Sequence, residues 1–296
     1  MTSATISEAS SSLPKETAAP RAVTRWQRLG LAIAATELGL LYAPTIVWLF
    51  ERWTRSVWDN AHGLLILPVV AYFVRYELRR VGDQPATSSA LGFLLLVPAL
   101  ALHALDAGMH TQLLSAISIV VALPGLSLLA LGTVRTRAIL IPLLFLAFAL
   151  PLPLALTEQI TWQLRLIATA ATASVVPMLG IPVFVEGTTL NLAHGALQVA
   201  DACSGFSTLY AAMAVACLTA YSTESTGRRL LILLVAAPLA ILANIIRVVL
   251  LVVLVVWQGV GILDTFVHPL SGLMTFALAL PVIFWLGGDS RKEVAA

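Results

Sequence analysis

The series of long apolar runs between residues 29 and 287 constrains the fold of this chain more than any other feature. A helix needs roughly 20 mainly apolar residues to cross a bilayer. The candidate segments are 29–50, 61–78, 90–107, 112–131, 138–156, 160–180, 205–222, 229–257 and 270–287. Hydrophobic residues make up 59% of the 296 residues and charged residues 11%, whereas about a quarter of a soluble domain is charged. This composition excludes a water-soluble enzyme and a disordered chain, and it predicts an all-α polytopic integral membrane protein.

The placement of the basic residues predicts which segments cross. Most of the 17 basic residues lie in five clusters, within 15–28, 75–80, 135–137, 228–229 and 291–292. If segment 160–180 does not cross and the others do, all five clusters are cytoplasmic, as the positive-inside rule requires. If it crosses, the last two clusters fall outside. We therefore predict about eight transmembrane helices with both termini in the cytoplasm.

Segment 160–180 differs from the other apolar runs because one of its faces is polar. Apolar residues recur there at the spacing of a single helix face, with Glu158, Gln163 and Arg165 in or beside the segment. This pattern is typical of an amphipathic helix that lies on the outer membrane surface. A true span that packs against other helices remains the alternative.

Composition divides the chain into three regions. Residues 1–28 are rich in Ser, Thr and Ala and are predicted to form a disordered cytoplasmic tail; residues 29–287 form the membrane domain, and 288–296 a short cytoplasmic tail. The first apolar run lacks a small-residue cleavage site, so we interpret it as a retained helix. Within the membrane domain, residues 182–200 carry β-branched residues and two turn signals, Glu186-Gly187 and His194-Gly195. They predict short strands that form a small periplasmic cap just before Cys203.

Three chemically capable side chains are predicted at the outer ends of consecutive helices. Arg247 lies in the apolar run after Arg229, about 27 Å along a helix from the inner surface, and Asn244 shares its face. His268 precedes a proline at the start of the last span, and Cys203 lies where the cap meets segment 205–222. A thiolate is a strong nucleophile when a helix N-terminus, a cation or a histidine lowers its pKa. An arginine stabilises an oxyanion, so the trio predicts attack on a carbonyl carbon.

The neighbouring candidates carry weaker signals. Asp201 is either a helix N-cap or an orienting residue, and Ser204 and Gly205 follow the thiol directly. Cys217 is predicted to serve packing alone, and fourteen residues of helix separate it too far from Cys203 for a disulfide.

A metal site is a further possibility that the spacing of three side chains raises. His103, Asp106 and His110 would share one face of a continuous helix and would be able to bind a metal. Because Gly108 interrupts that helix, we expect instead solvated polar residues at the end of a span, with no metal and no cofactor.

The ordered motifs resemble one known family. They are Asp201-Ala-Cys203-Ser204-Gly205, Asn244-Ile-Ile-Arg247 and His268-Pro-Leu-Ser-Gly272, which follow Phe148-Ala-Leu-Pro151-Leu-Pro153. This order resembles the exosortase/archaeosortase family of bacterial inner-membrane cysteine transpeptidases. His62-Gly63 at the start of the second run and Arg75 near its end are similar to the family pattern, and the resemblance covers residues 60–287.

The resemblance implies a protein-sorting activity with its active site on the periplasmic face of the inner membrane. The implied partners are exported proteins with a C-terminal signal of the PEP-CTERM kind: a short Pro-containing motif, a hydrophobic helix and a basic tail. It implies Cys203 as the acyl-thioester nucleophile, Arg247 as the acid or oxyanion stabiliser, and His268 as the activating or orienting partner. Membrane lipids are the other expected partners, and the basic residues form no patch for nucleic acid.

A transporter or channel is the alternative function. Glu37, Arg165 and Arg247 would then mark a polar path through the membrane. Cys203 discriminates between the two functions, because a transporter would tolerate alanine there and a thiol enzyme would not.

Overall fold

The computed structural model describes residues 25–55, 62–82, 87–193, 195–199 and 204–288. These ranges contain α1 (Arg25–Leu41), α2 (Ala43–Arg55), α3 (His62–Val81), α4 (Gly92–Met109), α5 (Leu113–Leu144), α6 (Leu154–Val175), α7 (Phe206–Ser222), α8 (Thr226–Gln258) and α9 (Val267–Gly287). They also contain three short strands, β1 (Val183–Glu186), β2 (Thr189–Leu192) and β3 (Gly195–Gln198). Helix α1 begins at Arg25, a few residues before the apolar run that predicted it.

The first two helices follow each other with only Tyr42 between them. The backbone N–H of Tyr42 donates to the carbonyl oxygen of Leu38, and that of Ile46 donates to the carbonyl oxygen of Tyr42, both at 2.9 Å. These bonds keep the helical pattern across the junction. Helices α1 and α2 together therefore correspond to the first predicted span.

Helix α5 contains a sharp reversal at Gly132. The backbone there has φ +79° and ψ −179°, which is not helical. The hydroxyls of Ser127 and Thr136 lie 2.8 Å apart, although nine residues of straight helix would separate them by about 13 Å. The two halves of α5, together with the 3₁₀ turn Phe145–Ala149, therefore match the separate runs 112–131 and 138–156, except that the second ends at Ala149, before Pro151.

Helices α7, α8 and α9 pack closely along a seam of small residues. Ala212 and Ala216 of α7 and Ala236 and Ala240 of α8 are fully buried, with Ile283 of α9 beside them. Small side chains let helix backbones approach each other in membranes, where dispersion contacts drive association. Helices α7 and α9 begin, and α8 terminates, at the same end of this three-helix unit. We call this end the site end and the opposite end the far end.

A cap covers the site end. The strands pair in the antiparallel order β1-β2-β3, with Val183 opposite Leu192 and Leu190 opposite Leu197. Leu190, Leu197 and Val199 pack with Ala168 and Val176 against the last third of α8. The strands and the Glu186-Gly187 turn confirm the predicted hairpins, while His194 lies outside the described residues.

Helix α6 starts and ends at the site end. Just before it, the carbonyl oxygen of Leu150 accepts a hydrogen bond from the hydroxyl of Tyr210 in α7. Just after it, Val176 packs with Leu190 and Val248 in the cap. Its buried residues, among them Leu164, Ala168 and Thr172, recur at the spacing of one helix face. The helix runs from Leu154, somewhat earlier than segment 160–180 predicted.

Four described helical segments are long and apolar enough to cross a membrane. They are Gly92–Met109, Leu113–Ala149, which the reversal at Gly132 divides, Thr226–Gln258 and Leu270–Gly287; the apolar helix Phe206–Ser222 is slightly shorter. Large apolar side chains such as Leu94, Leu234 and Trp285 are more than 60% exposed on these helices, as expected where lipid is the solvent.

Candidate functional site

The start of α7 is held against α8 by a glycine and an asparagine. Gly205 adopts φ +79° as the N-cap residue, and a Cβ atom there would lie 2.5 Å from Cγ of Asn244. The Asn244 side-chain amide donates to the carbonyl oxygen of Ser204 at 3.1 Å. The Ser204 hydroxyl in turn accepts the backbone N–H of Phe206 at 3.2 Å. Ser204 and Asn244 are both buried, so this corner of the site is closely packed.

Arg247 lies one turn further along α8, against the first turns of α9. Its Nε atom donates to the hydroxyl oxygen of Ser271 at 2.8 Å. A Cβ atom at Gly272 would lie 3.5 Å from each of Cζ, Nη1 and Nη2 of Arg247, so the guanidinium lies flat over this glycine. The side chain is only 6% exposed. A planar guanidinium held in this way has a defined orientation.

Three separate sequence motifs therefore meet around one face of α8. Asn244 and Arg247 are three residues apart and share that face, which contacts Ser204-Gly205 on one side and Ser271-Gly272 on the other. His268 is the second residue of α9, one helical turn before Ser271. Its side chain is not among those that the structure describes, and Asp201 and Cys203, which precede Ser204 in the chain, lie outside the described residues.

The side chain of Arg247 is surrounded by protein at its depth along α8. Helix α8 continues to Gln258, and its residues Val248, Leu251 and Val252 are buried under α6 and the strands. The guanidinium is therefore enclosed by protein. A buried cation needs hydrogen-bond partners to offset its desolvation, and Ser271 is one of them.

Asp106 is buried and His103 is half-buried, and each makes a hydrogen bond within the protein, whereas solvated side chains were predicted. Helix α4 passes through Gly108 without interruption and ends with His110 at φ +55°. His103 Nδ1 lies 2.6 Å from the hydroxyl of Ser115, and the buried Asp106 accepts the hydroxyl of Thr111. Among the described residues, His, Cys, Asp and Glu form no group of three suited to a metal ion.

An aromatic cluster near the start of α7 was missed by the sequence reasoning. Tyr210 contacts three rings, with centroid distances of 5.0 Å to His62, 5.7 Å to Phe148 and 6.0 Å to Phe206. The residue after His62, Gly63, is buried against the indole of Trp53, where a Cβ atom would collide. The sequence signal that pointed to this cluster was the His62-Gly63 pair, which is similar to the family pattern but to which no role was assigned.

These observations define a multi-pass membrane protein with a buried polar site at one end of its helices. The family model described as transmembrane exosortase matches residues 53–285, which is well over half of the chain. The chain belongs to the transmembrane exosortase family. This membership favours a membrane protein-sorting transpeptidase over a transporter. Neither a curated protein nor a solved structure matches the chain.

Proposed function

We propose that this protein is a membrane-embedded cysteine transpeptidase that cleaves C-terminal sorting signals from exported proteins. The observation that carries the proposal is the convergence of Ser204-Gly205, Asn244, Arg247 and Ser271-Gly272 around one face of α8. Cys203 directly precedes the first of these motifs, and His268 lies one turn before the last. The substrates are exported proteins with a Pro-containing motif, an apolar helix and a basic tail.

The reaction is an acyl transfer in two halves. The Cys203 thiol gives its proton to His268, and Sγ attacks the carbonyl carbon, forming a C–S bond. The guanidinium of Arg247 stabilises the negative charge on the carbonyl oxygen. The C–N bond then breaks, and the leaving amine takes the proton from His268. Water or an acceptor amine then attacks the thioester carbonyl carbon and gives a proton to His268. The C–S bond breaks, the acyl group leaves on the new nucleophile, and Sγ takes the proton back from His268.

The proposed topology has about eight transmembrane helices, both termini in the cytoplasm and the site on the periplasmic face of a bacterial inner membrane. Basic residues support it, because they gather at the far end of the structure. Arg79 and Arg80 lie in the last turn of α3. Arg135 donates a hydrogen bond to the carbonyl oxygen of Gly82 at 3.4 Å. Arg229 donates one to the carbonyl oxygen of Thr223. This end would be cytoplasmic under the positive-inside rule.

Replacement of each cysteine tests the proposed function. The Cys203→Ala and Cys203→Ser proteins should accumulate normally and fail to process a co-expressed exported protein whose C-terminus carries the three-part signal. The matched control is Cys217→Ala, because Cys217 lies in the middle of α7 and is a free thiol. Processing is measured by the mobility shift of the substrate on a gel. Normal processing by Cys203→Ala protein at equal abundance would exclude the thiol mechanism.

A further inference from the structure

An apolar cleft of about 110 Å³ separates the facing sides of α3 and α7. Its lining residues recur at intervals of three and four on each helix, so one face of each helix is turned toward the cleft. The lining includes Leu65, Ile66 and Val69 of α3 and Ala211, Ala214 and Leu218 of α7. Phe276 of α9 also borders the space. One apolar face of each helix therefore borders an open space, which Phe145 and Phe148 of the 3₁₀ turn also line.

Aromatic side chains bridge the two helices at both ends of the cleft. At the site end the rings of His62 and Tyr210 are 5.0 Å apart. At the far end Phe73 and Tyr221 are 5.8 Å apart, and the Tyr221 hydroxyl donates to a carboxylate oxygen of Glu77 at 2.7 Å. These contacts connect the two helices at both ends of the cleft. An engineered apolar cavity of about 150 Å³ stays dry and binds benzene, so a space of this size takes apolar groups.

At the site end, the cleft lies next to the candidate site. Tyr210 stacks on Phe206, the first residue of α7, at 6.0 Å. The backbone N–H of Phe206 is bonded to the hydroxyl of Ser204, whose carbonyl oxygen binds Asn244. One helical turn of α7 thus separates the cleft from the residues that follow Cys203.

We propose that this cleft seats the apolar segment of the substrate, with apolar side chains of that segment filling the space between α3 and α7. The proposal rests on the proposed function, because a peptide bond cleaved beside Ser204 must be followed by substrate chain that runs away from the site end. The cleft starts at that point, runs between α3 and the apolar helix α7, and has an almost wholly apolar lining. Ala211 and Ala214 present only methyl groups there, which lets a helix backbone approach. A lipid acyl chain is the competing occupant.

Site-specific photo-crosslinking tests which molecule occupies the cleft. A photoreactive residue replaces Leu218 in the Cys203→Ala protein, and the probe is an exported protein with a C-terminal Pro-containing motif, an apolar segment of about 20 residues and a basic tail. The matched control replaces Leu234, which is 64% exposed on α8. We expect a crosslink to the apolar segment from position 218 and none from 234. Equal crosslinking from both positions, or crosslinks from 218 to lipid alone, would overturn the proposal. The readout needs no turnover.

Filling the cleft tests the same proposal in the active protein. Ala214→Phe places a ring in the cleft, while Ala104→Phe adds the same ring on the exposed side of α4. Loss of a well-matched apolar contact changes kcat/KM by about tenfold or more, so we expect that loss for Ala214→Phe, mainly through KM, and none for Ala104→Phe. If Ala214→Phe protein processes the probe like wild type, the proposal that the cleft seats the substrate is wrong, while the thiol mechanism is unaffected. Processing that persists in Cys203→Ala instead overturns the proposed function, whatever the crosslinking shows.

Discussion

At Gly205 both the backbone conformation and the neighbouring side chain exclude a larger residue. Its φ of +79° lies in the left-handed region, which costs a residue with a Cβ atom about 1–2 kcal/mol. The added atom would also meet Cγ of Asn244 at 2.5 Å. Helix α7 can therefore begin against α8 only because this residue is glycine.

We expect Gly205→Ala to destabilise the protein more than Gly180→Ala does. Gly180 has nearly the same backbone, with φ +77°, but a Cβ atom added there would have no neighbour within 4 Å. The backbone strain is shared, and the contact with Asn244 is not; overpacking of this kind costs about 1–3 kcal/mol. Thermal unfolding midpoints of the two variants in detergent measure the difference. Equal midpoints would show that α7 shifts away from Asn244 freely.

Replacement of Arg247 by lysine separates chemistry from anchoring. The guanidinium binds Ser271 through Nε and lies over Gly272, and a lysine supplies the charge without the planar fork. Losing one oxyanion donor costs on the order of 100- to 1000-fold in rate. We therefore expect Arg247→Lys protein to accumulate normally and to process the substrate slower by that factor. Single-turnover rates measured at matched protein concentration distinguish the two roles. A wild-type rate for Arg247→Lys protein would show that Arg247 only anchors the helix.

At the scale of elements, the reversal in α5 depends on a single glycine. Residues on both sides of Gly132 are helical, and an apolar helix of 32 residues would be about 48 Å long, far more than the hydrocarbon thickness of about 30 Å. Gly132 packs against the backbone of Thr87 so closely that a Cβ atom would collide with its carbonyl oxygen. The reversal therefore positions the halves of α5 and, through the second half, Phe148 beside Tyr210.

Gly132→Ala should consequently disrupt the packing of α4 and α5. The control is Gly82→Ala, since Gly82 also has a positive φ, +68°, with open space around it. We expect Gly132→Ala protein to be cleaved faster by limited proteolysis and to unfold at a lower temperature than Gly82→Ala protein. Matching behaviour of the two variants would mean that the Thr87 contact contributes nothing to the fold.

At the scale of the whole molecule, the proposed orientation places the strands and the loop before α8 on opposite sides of the membrane. Glu186 at the end of β1 and Glu224 in the loop are both exposed, so each accepts a cysteine in a protein that lacks Cys203 and Cys217. We expect an impermeant maleimide added to intact spheroplasts to label Glu186→Cys and not Glu224→Cys. Detergent permeabilisation should expose both positions equally. Labelling of Glu224→Cys alone would invert the topology and move the site to the cytoplasmic face.

Much of the helical organisation follows from the sequence because the requirement for an apolar run of membrane length is local. Segment 205–222 predicted α7, which spans Phe206–Ser222, and segment 229–257 predicted α8, which spans Thr226–Gln258. The turn signals of the cap were equally local, and β1, β2 and β3 follow them. In the site, Arg247 and Asn244 were candidates on sequence alone because polar groups among apolar residues are costly and need a partner or a task. Ser204 and Gly205 were candidates because they directly follow Cys203.

Only the tertiary structure decided what these residues contact. The sequence predicted that the side chains of His103 and Asp106 are solvated. Instead, His103 is hydrogen-bonded to Ser115 of the neighbouring helix and Asp106 to Thr111 of the following turn. The pairing of Arg247 with Ser271, the cap over the last third of α8 and the open space between α3 and α7 likewise depend on residues far apart in the chain. Apolar periodicity indicates which face of a helix is kept from water. In a membrane, where lipid and protein are equally apolar, it does not indicate whether that face packs against lipid or against another helix.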